Sequence, residues 1–209
     1  MNFWKNEVGS QKSEVRNTGT IRPQTFDLRP PTSDPQKNTN FTLLNTFTTY
    51  YQSPVGMLRI SGTDHFISEV HFMNEEEQAT AASPTVPLPP MAIQAVEQMI
   101  EYFNGNRRVF ELPIVQEGTG FQQKVWGELM HIPFGKTISY LELSRRLGDP
   151  KVIRASAAAN GKNHVAIVVP CHRVVGSNNE LVGYAGGLKR KKWLLQHEKK
   201  IAYGVLTLF

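Results

Sequence analysis

Short β-type runs open the patterned part of the chain. Three stretches rich in β-branched and aromatic residues follow one another, and turn-forming sequences separate them. The stretches are Thr48–Tyr51, Gly56–Ile60 and Phe66–Phe72, and the turns are Ser53–Gly56 and Ser61–Asp64. This pattern predicts three strands in an antiparallel meander.

A helix is predicted after a Pro-containing loop. Four apolar residues recur there at helical spacing and are expected to form its buried face: Ile93, Val96, Ile100 and Phe103. Residues 46–115 are therefore predicted to form one small α/β domain. Residues 1–45 are polar and lack periodicity, so we expect a flexible leader there.

From residue 119 the pattern becomes mainly helical. Four apolar residues mark a first helix: Phe121, Val125, Trp126 and Leu129. Ser139, followed by Glu142, predicts the capped start of a second helix. Asp149 predicts the start of a third helix, from Lys151 to about Asn160. The second and third helices form a helix-turn-helix, within a second domain predicted over residues 119–204.

The third predicted helix has an unusually bare surface. Residues 155–159 are Ala-Ser-Ala-Ala-Ala, and Lys151 and Arg154 project beside them. Small side chains let a helix lie close against a nucleic-acid groove. They equally allow tight packing against another helix. The pattern leaves both interpretations open.

Composition limits the class of protein. A hydrophobic content of 40% is enough for a packed core. No stretch approaches the roughly 20 apolar residues of a membrane span, and the first residues lack a secretory signal, so we expect a cytoplasmic protein with no membrane partner. Charge is unevenly spread, because the chain from Phe121 onward holds 14 Lys and Arg against 5 Asp and Glu. A basic half fits a polyanion-binding module and also a solvated lysine-rich surface.

Cys171 is the only cysteine of the chain. One thiol can form neither an internal disulfide nor a zinc-binding cluster, so Cys171 is either an inert buried thiol or a reagent. The β-branched run Ile167–Val169 predicts a buried strand or extended segment that leads to it. His172 and Arg173 follow, and both favour the reactive thiolate. A neighbouring Cys and His are weak evidence alone, since cysteine is often buried for packing.

Several motifs around Cys171 carry a family resemblance. Three follow it or contain it: Pro170–Val174, Gly183–Leu188 and Leu194–Glu198. Others precede it in matching order: Phe121 with Val125 and Trp126, Ile132–Gly135, Ser139 with Tyr140, Arg154, and Ala159–Asn163. Over residues 121–198 the chain resembles the methylated-DNA protein-cysteine methyltransferases. A looser resemblance, centred on Ser53–Gly56, extends to the N-terminal domain of that family.

The resemblance implies an α+β fold. A small ribonuclease-H-like α/β N-terminal domain is followed by a mainly helical, winged helix-turn-helix-like alkyltransferase domain with the active-site cysteine. No cofactor is implied. Some family members bind zinc in the N-terminal domain through cysteine and histidine, but this chain has no cysteine there. His65 and His71 do not make a site by themselves, so we predict no metal.

The resemblance also implies the chemistry. An alkyl group of 6-O-alkylguanine in DNA, with 4-O-methylthymine as a further candidate lesion, passes irreversibly to Cys171 after the base is flipped out of the duplex. Glu198 orients His172, and His172 acts through a water on Cys171. Tyr140 donates a hydrogen bond to the leaving guanine. The protein is thus expected to repair DNA by direct reversal.

The implied substrate pocket and DNA contacts involve further residues. The pocket set is Tyr184, Ala185, Val174 and Asn163. The DNA-binding set is Arg154, Lys151, Ala155, Lys162 and Ser139. Arg154 fills the space left by the flipped base. The expected partner is double-stranded DNA carrying alkylated guanine, bound through its minor groove by a monomer. The cluster Lys189–Lys192 is either a phosphate contact or a solvated run.

Three alternatives belong to other classes. A non-catalytic protein that binds alkyl lesions keeps the fold but replaces the cysteine, which this chain retains. A transcription regulator reads the major groove and usually dimerises, and an alanine-covered helix offers few base-reading side chains. A cysteine hydrolase needs a base in direct contact and an oxyanion hole, and nothing in the sequence specifies one.

Overall fold

The computed structural model describes residues 45–204. All of the predicted leader except Asn45 lies outside the described residues. The fold is α+β, as predicted: an N-terminal domain built on a small sheet precedes a mainly helical C-terminal domain. Within residues 45–204, no helix is long and apolar enough to cross a bilayer.

The N-terminal domain is an antiparallel meander with two helices. The strands are β1 (Thr46–Ser53), β2 (Gly56–Thr63) and β3 (Ile67–Phe72), hydrogen-bonded in the order β1-β2-β3. The helices are α1 (Glu75–Ala79) and α2 (Pro90–Phe103). The predicted meander is confirmed. Turn residues and β-branched runs specify it locally, because each strand pairs with the next along the chain.

The predicted buried face of α2 is confirmed at Phe103, and Val96 is half-buried against the core. The prediction is wrong for Ile93 and Ile100, which are 45% and 40% exposed. The residues that α2 buries are Ala92, Ala95, Gln98, Met99, Tyr102 and Phe103. The two alanines let the helix lie close to the sheet, and Tyr102 finds a buried partner for its hydroxyl, so packing overrides the pattern of large apolar residues.

The C-terminal domain consists of four α-helices, two short strands and two 3-10 turns within the described residues. The helices are α3 (Gly120–Met130), α4 (Tyr140–Arg146), α5 (Ile153–Gly161) and α6 (Leu188–Tyr203). The strands β4 (Ile138–Ser139) and β5 (Val174–Val175) pair in parallel. The 3-10 turns are Pro150–Val152 and Cys171–Arg173. Helix α5 packs against α3 and α4.

The predicted helix-turn-helix is formed by α4 and α5. Ser139 Oγ accepts from the backbone N of Glu142 at 3.0 Å, which caps α4. In a full capping box the Glu142 carboxylate would also accept from the backbone N of Ser139. Here the carboxylate accepts from Arg146 Nε instead. Between the two helices, the buried hydroxyls of Ser144 and Ser156 lie 3.0 Å apart and fix how the helices cross.

The expected strand at Ile167–Val169 is also wrong. Ile167 has a left-handed backbone (φ 72°), and the N of Val168 bonds back to the carbonyl of Ala166 at 2.9 Å. The segment is therefore a buried series of tight turns. In a strand, the backbone N–H and carbonyl groups would pair with a neighbouring strand. Here they form hydrogen bonds within the segment or with the side chain of Asn163.

One hydrophobic core extends through both domains. At their junction, the Val70 N donates to the His164 carbonyl and the Ala166 N donates to the Val70 carbonyl, both at 2.9 Å. Arg190 of α6 donates to the carbonyls of Val55 and Met73 in the N-terminal domain. The turns that lead to Cys171 are thereby anchored on strand β3.

Gly135 should tolerate no side chain. It has φ 75°, and an added Cβ would lie 2.7 Å from the Cβ of Ala202. We expect Gly135→Ala to lower the free energy of unfolding by roughly 2 to 4 kcal/mol, because left-handed strain and overpacking add. Gly148→Ala is the control: φ is 95° and nothing lies within 4 Å, so about 1 kcal/mol is expected. Urea denaturation measures both, and equal losses would contradict the packing contribution.

Candidate active site

Cys171 lies at the start of a buried 3-10 turn. It is 5% exposed, and its Sγ accepts a hydrogen bond from Asn163 Nδ2 at 3.1 Å. Burial raises the pKa of the thiol, while the Asn163 hydrogen bond and the positive charge of Lys191 oppose that rise. The resting thiol is therefore protonated at neutral pH, and a base has to remove its proton before it can act as a nucleophile.

Asn163 connects α5 to the turn that carries the thiol. Its Nδ2 also donates to the Val169 carbonyl at 2.8 Å, and its Oδ1 accepts from the Val165 N at 3.0 Å. One side chain thus fixes the backbone on the approach to Cys171 and contacts the sulfur itself.

His172 is a neutral base with one free nitrogen. Its Nε2 lies 2.8 Å from Glu198 Oε1, and both side chains are fully buried. An ionised carboxylate only accepts, so Nε2 carries the ring proton and Nδ1 presents a lone pair. Among the described residues, Nδ1 has no hydrogen-bond partner. Burial lowers the pKa of His172, which keeps the ring neutral and able to take a proton.

The Glu198 carboxylate accepts hydrogen bonds from four residues in three parts of the chain. Besides His172, Arg173 Nε donates to Oε2 at 2.9 Å and the Gly135 N donates to Oε2 at 3.0 Å. The Tyr102 hydroxyl donates to Oε1 at 3.0 Å. Burial by itself raises the pKa of Glu198, but His172 and Arg173 outweigh it and hold the pKa well below its usual range. Glu198 is therefore a permanent anion.

Lys191 is a site residue that the sequence interpretation missed. It is fully buried, and its Nζ donates to the carbonyls of Val182 (2.7 Å) and Gly183 (3.1 Å). Burial lowers its pKa to about 8, and the nearby Cys171 opposes that shift. The cluster Lys189–Lys192 is consequently not a uniformly solvated run.

A helical spacing could have identified Lys191. Lys191, Leu194, Leu195 and Glu198 recur at i, i+3, i+4 and i+7, and these are the four residues that α6 buries. A lysine at an apolar position of this helix face therefore indicated, in the sequence itself, that Lys191 is buried.

A cavity of about 380 Å³ opens beside α5. Arg154, Ala157 and Asn160 line it on the α5 side, Tyr140 and Tyr184 on other sides. Cavities of this size accept small ligands the size of a nucleobase. The alanine-rich helix therefore borders a concave site, in addition to packing on α3 and α4.

Asn160 links the cavity to the backbone of Cys171. Its Nδ2 lies 3.4 Å from both the Tyr140 hydroxyl oxygen and the Cys171 carbonyl. Because the Tyr140 oxygen accepts this bond, its own proton stays available for a further acceptor. Asn160 belongs to the Ala159–Asn163 motif, but the sequence alone indicated no role for it.

Of the predicted pocket and DNA-binding residues, only Tyr184 and Arg154 line this cavity. Val174 is buried in β5, and Ala185 is exposed in the loop before α6. The exposed members of the DNA-binding set all lie on or next to α5: Lys151, Arg154, Ala155 and Lys162. Ser139 lies apart from them at the N-cap of α4, where its Oγ is already engaged.

Family models match both domains. Residues 46–116 match the 6-O-methylguanine DNA methyltransferase ribonuclease-like domain, and residues 120–200 match the DNA-binding domain of the same family. A Mycobacterium tuberculosis relative, named methylated-DNA–protein-cysteine methyltransferase, is 40% identical over 157 residues, which cover 75% of this chain and 94% of the relative.

Solved structures agree with this assignment. The M. tuberculosis O6-methylguanine methyltransferase superposes with a TM-score of 0.68 at 38% identity, covering 79% of this chain and 99% of the other. M. tuberculosis OGT in complex with DNA gives a TM-score of 0.65 at 38% identity, covering 73% and 92%. The chain belongs to the methylated-DNA–protein-cysteine methyltransferase family.

Proposed function

We propose that this protein repairs DNA by direct reversal, transferring the alkyl group of 6-O-alkylguanine to Cys171. One observation carries the proposal. The only thiol of the chain is followed directly by a neutral histidine whose Nδ1 has no hydrogen-bond partner within residues 45–204, and a cavity of nucleobase size opens at Asn160, which bonds to the Cys171 carbonyl. Family membership supports the same reaction. 4-O-methylthymine is a second candidate lesion.

The transfer step is a single displacement. The Cys171 proton passes toward His172 Nδ1, with a water between them as the family resemblance implies. The sulfur then forms a bond to the alkyl carbon while the carbon–oxygen bond breaks, and the electron pair goes to guanine oxygen 6. The guanine anion is neutralised by one proton, which balances the proton that Cys171 gave to His172. The thioether that remains on Cys171 is stable, so each molecule reacts once.

Charged and polar groups around the cavity stabilise this displacement. Tyr140 keeps a hydroxyl proton free to donate to the leaving base, since its oxygen accepts from Asn160. Lys191 places a positive charge near the developing thiolate. We further propose that the pocket residues position the base and the turns that lead to Cys171. These residues are Tyr184, Ala185, Val174 and Asn163.

We propose that DNA binds along α5 through its minor groove, and that the damaged base rotates into the cavity. A thiol that is 5% exposed cannot reach a carbon inside stacked DNA, so extrusion is required. Arg154 is exposed and lines the cavity mouth, where its side chain can occupy the emptied space. Lys151 and Lys162, exposed near opposite ends of α5, would contact phosphates. A monomer suffices for these contacts.

The domain boundaries are part of the same proposal. Residues 46–115 would form the ribonuclease-H-like domain and residues 119–204 the alkyltransferase domain. The ranges matched by the two family models support this division.

Incubation with a 6-O-methylguanine oligonucleotide should add the mass of one methyl group to the peptide that contains Cys171. Cys171→Ser should abolish the transfer, because serine is not appreciably ionised, while lesion binding measured by fluorescence anisotropy persists. Mass spectrometry of the digested protein measures the transfer. An unmodified Cys171 peptide after complete exposure would refute alkyl transfer.

Arg154→Ala should slow repair of duplex DNA about tenfold or more, which corresponds to about 1.4 kcal/mol of lost stabilisation of the extruded state. The reaction with free 6-O-methylguanine base should stay within about twofold, since no base has to be flipped. Arg145→Ala is the charge-matched control, because Arg145 is exposed at the end of α4 and does not line the cavity. Equal losses on duplex and free base would exclude a flipping role for Arg154.

A further inference from the structure

Tyr102 brings a hydroxyl of the N-terminal domain into the centre of the active site. It lies near the end of α2, is fully buried, and donates to Glu198 Oε1 at 3.0 Å. The same oxygen accepts from His172 Nε2 at 2.8 Å. Arg173 Nη2 donates to it as well, at 3.0 Å. Donors from both domains therefore converge on a single carboxylate oxygen, and Tyr102 is the one that the N-terminal domain supplies.

We propose that Tyr102 is a positioning residue for alkyl transfer, which sets the orientation and effective charge of Glu198 and thereby the basicity of His172. This inference rests on the proposed transfer to Cys171. It assigns the N-terminal domain a part in the chemistry, because the hydrogen-bond shell of Glu198 is incomplete without α2.

The surroundings of Tyr102 keep its hydroxyl in one place. Four rings pack around it with centroid distances of 5.3 to 6.1 Å: Phe103, Phe110, Phe134 and His197. His197 also bonds through Nε2 to the Tyr102 carbonyl at 2.9 Å. The phenol cannot swing away from Glu198 without disrupting this aromatic cluster, so its hydrogen bond is preorganised.

The hydroxyl affects His172 through the charge of the shared oxygen. A donor on Oε1 withdraws part of its negative charge, and the carboxylate then stabilises the protonated imidazole less strongly. Removing the donor should therefore raise the pKa of His172. The other titratable and charged groups that influence this cluster are unchanged by the substitution: Arg173, Lys191, Tyr184 and His197.

Loss of the hydroxyl should also loosen Glu198. With one bond fewer, the carboxylate samples orientations in which the His172 ring, and with it Nδ1, is less well fixed. Partners that orient a catalytic group typically matter by about tenfold or more in activity. We expect Tyr102→Phe to lower the single-turnover rate constant of methyl transfer about three- to tenfold, with lesion affinity within twofold of the wild type.

The single-turnover nature of the reaction separates folding from chemistry. In a time course with excess methylated oligonucleotide, the amplitude reports the fraction of folded protein and the rate constant reports the active site. A variant that folds poorly loses amplitude, so the rate constant of the folded fraction remains measurable. The acid limb of the pH–rate profile should move to higher pH in Tyr102→Phe, since His172 must be neutral to accept a proton.

Tyr51→Phe is the matched control. Tyr51 belongs to the same domain and contacts Phe103, 5.9 Å between ring centroids, but it does not reach Glu198. Its rate constant and acid limb should match those of the wild type. If Tyr102→Phe also matches the wild type in both, the hydroxyl is only structural and the inference is overturned. Absence of transfer by the wild-type protein would instead refute the proposed function.

Discussion

A buried carboxylate is the constraint on which this structure depends. Removing an ionised glutamate from water costs several kcal/mol unless donors replace its hydration. Glu198 is fully buried and receives hydrogen bonds from Tyr102, Gly135, His172 and Arg173. These donors lie on α2, on the loop before β4, and on the turn that carries Cys171. The two domains and the nucleophile can satisfy the carboxylate only in one relative arrangement, so the interaction that prepares the base also fixes the fold around it.

The same cluster explains why a raised thiol pKa is compatible with nucleophilic chemistry. Burial keeps Cys171 protonated and unreactive until its proton is taken. Burial also keeps His172 neutral, so a base is present at the pH where the thiol still holds its proton. A protein that is consumed by one reaction benefits from this arrangement, because a thiolate exposed at rest would be alkylated or oxidised without repairing DNA.

Local signals made part of this structure predictable. The meander, the cap at Ser139 and the helix-turn-helix depend on turn residues, caps and neighbouring strands, which the sequence displays directly. Of the residues that α2 buries, the apolar spacing predicted only Phe103. Ala92 and Ala95 are buried because the sheet approaches the helix closely, and the sequence of the helix alone does not show that contact. The Ile167–Val169 turns depend on Asn163, whose side-chain bonds replace a strand ladder. The family resemblance implies His172 as a partner of Glu198, but the other partners lie up to 96 residues away and only the tertiary fold reveals them.

Arg173 shows how the tertiary structure changes the meaning of a motif. Arg173 follows Cys171 by two residues, and its positive charge was expected to favour the thiolate. In the structure its guanidinium faces Glu198 and the Ile132 carbonyl. Its charge therefore balances the carboxylate, and the thiolate depends on Asn163 and Lys191 instead. This pairing also limits the relay. A carboxylate held so strongly in its anionic form does not accept the proton, so the proton stops on His172, from which it can pass to the guanine that leaves.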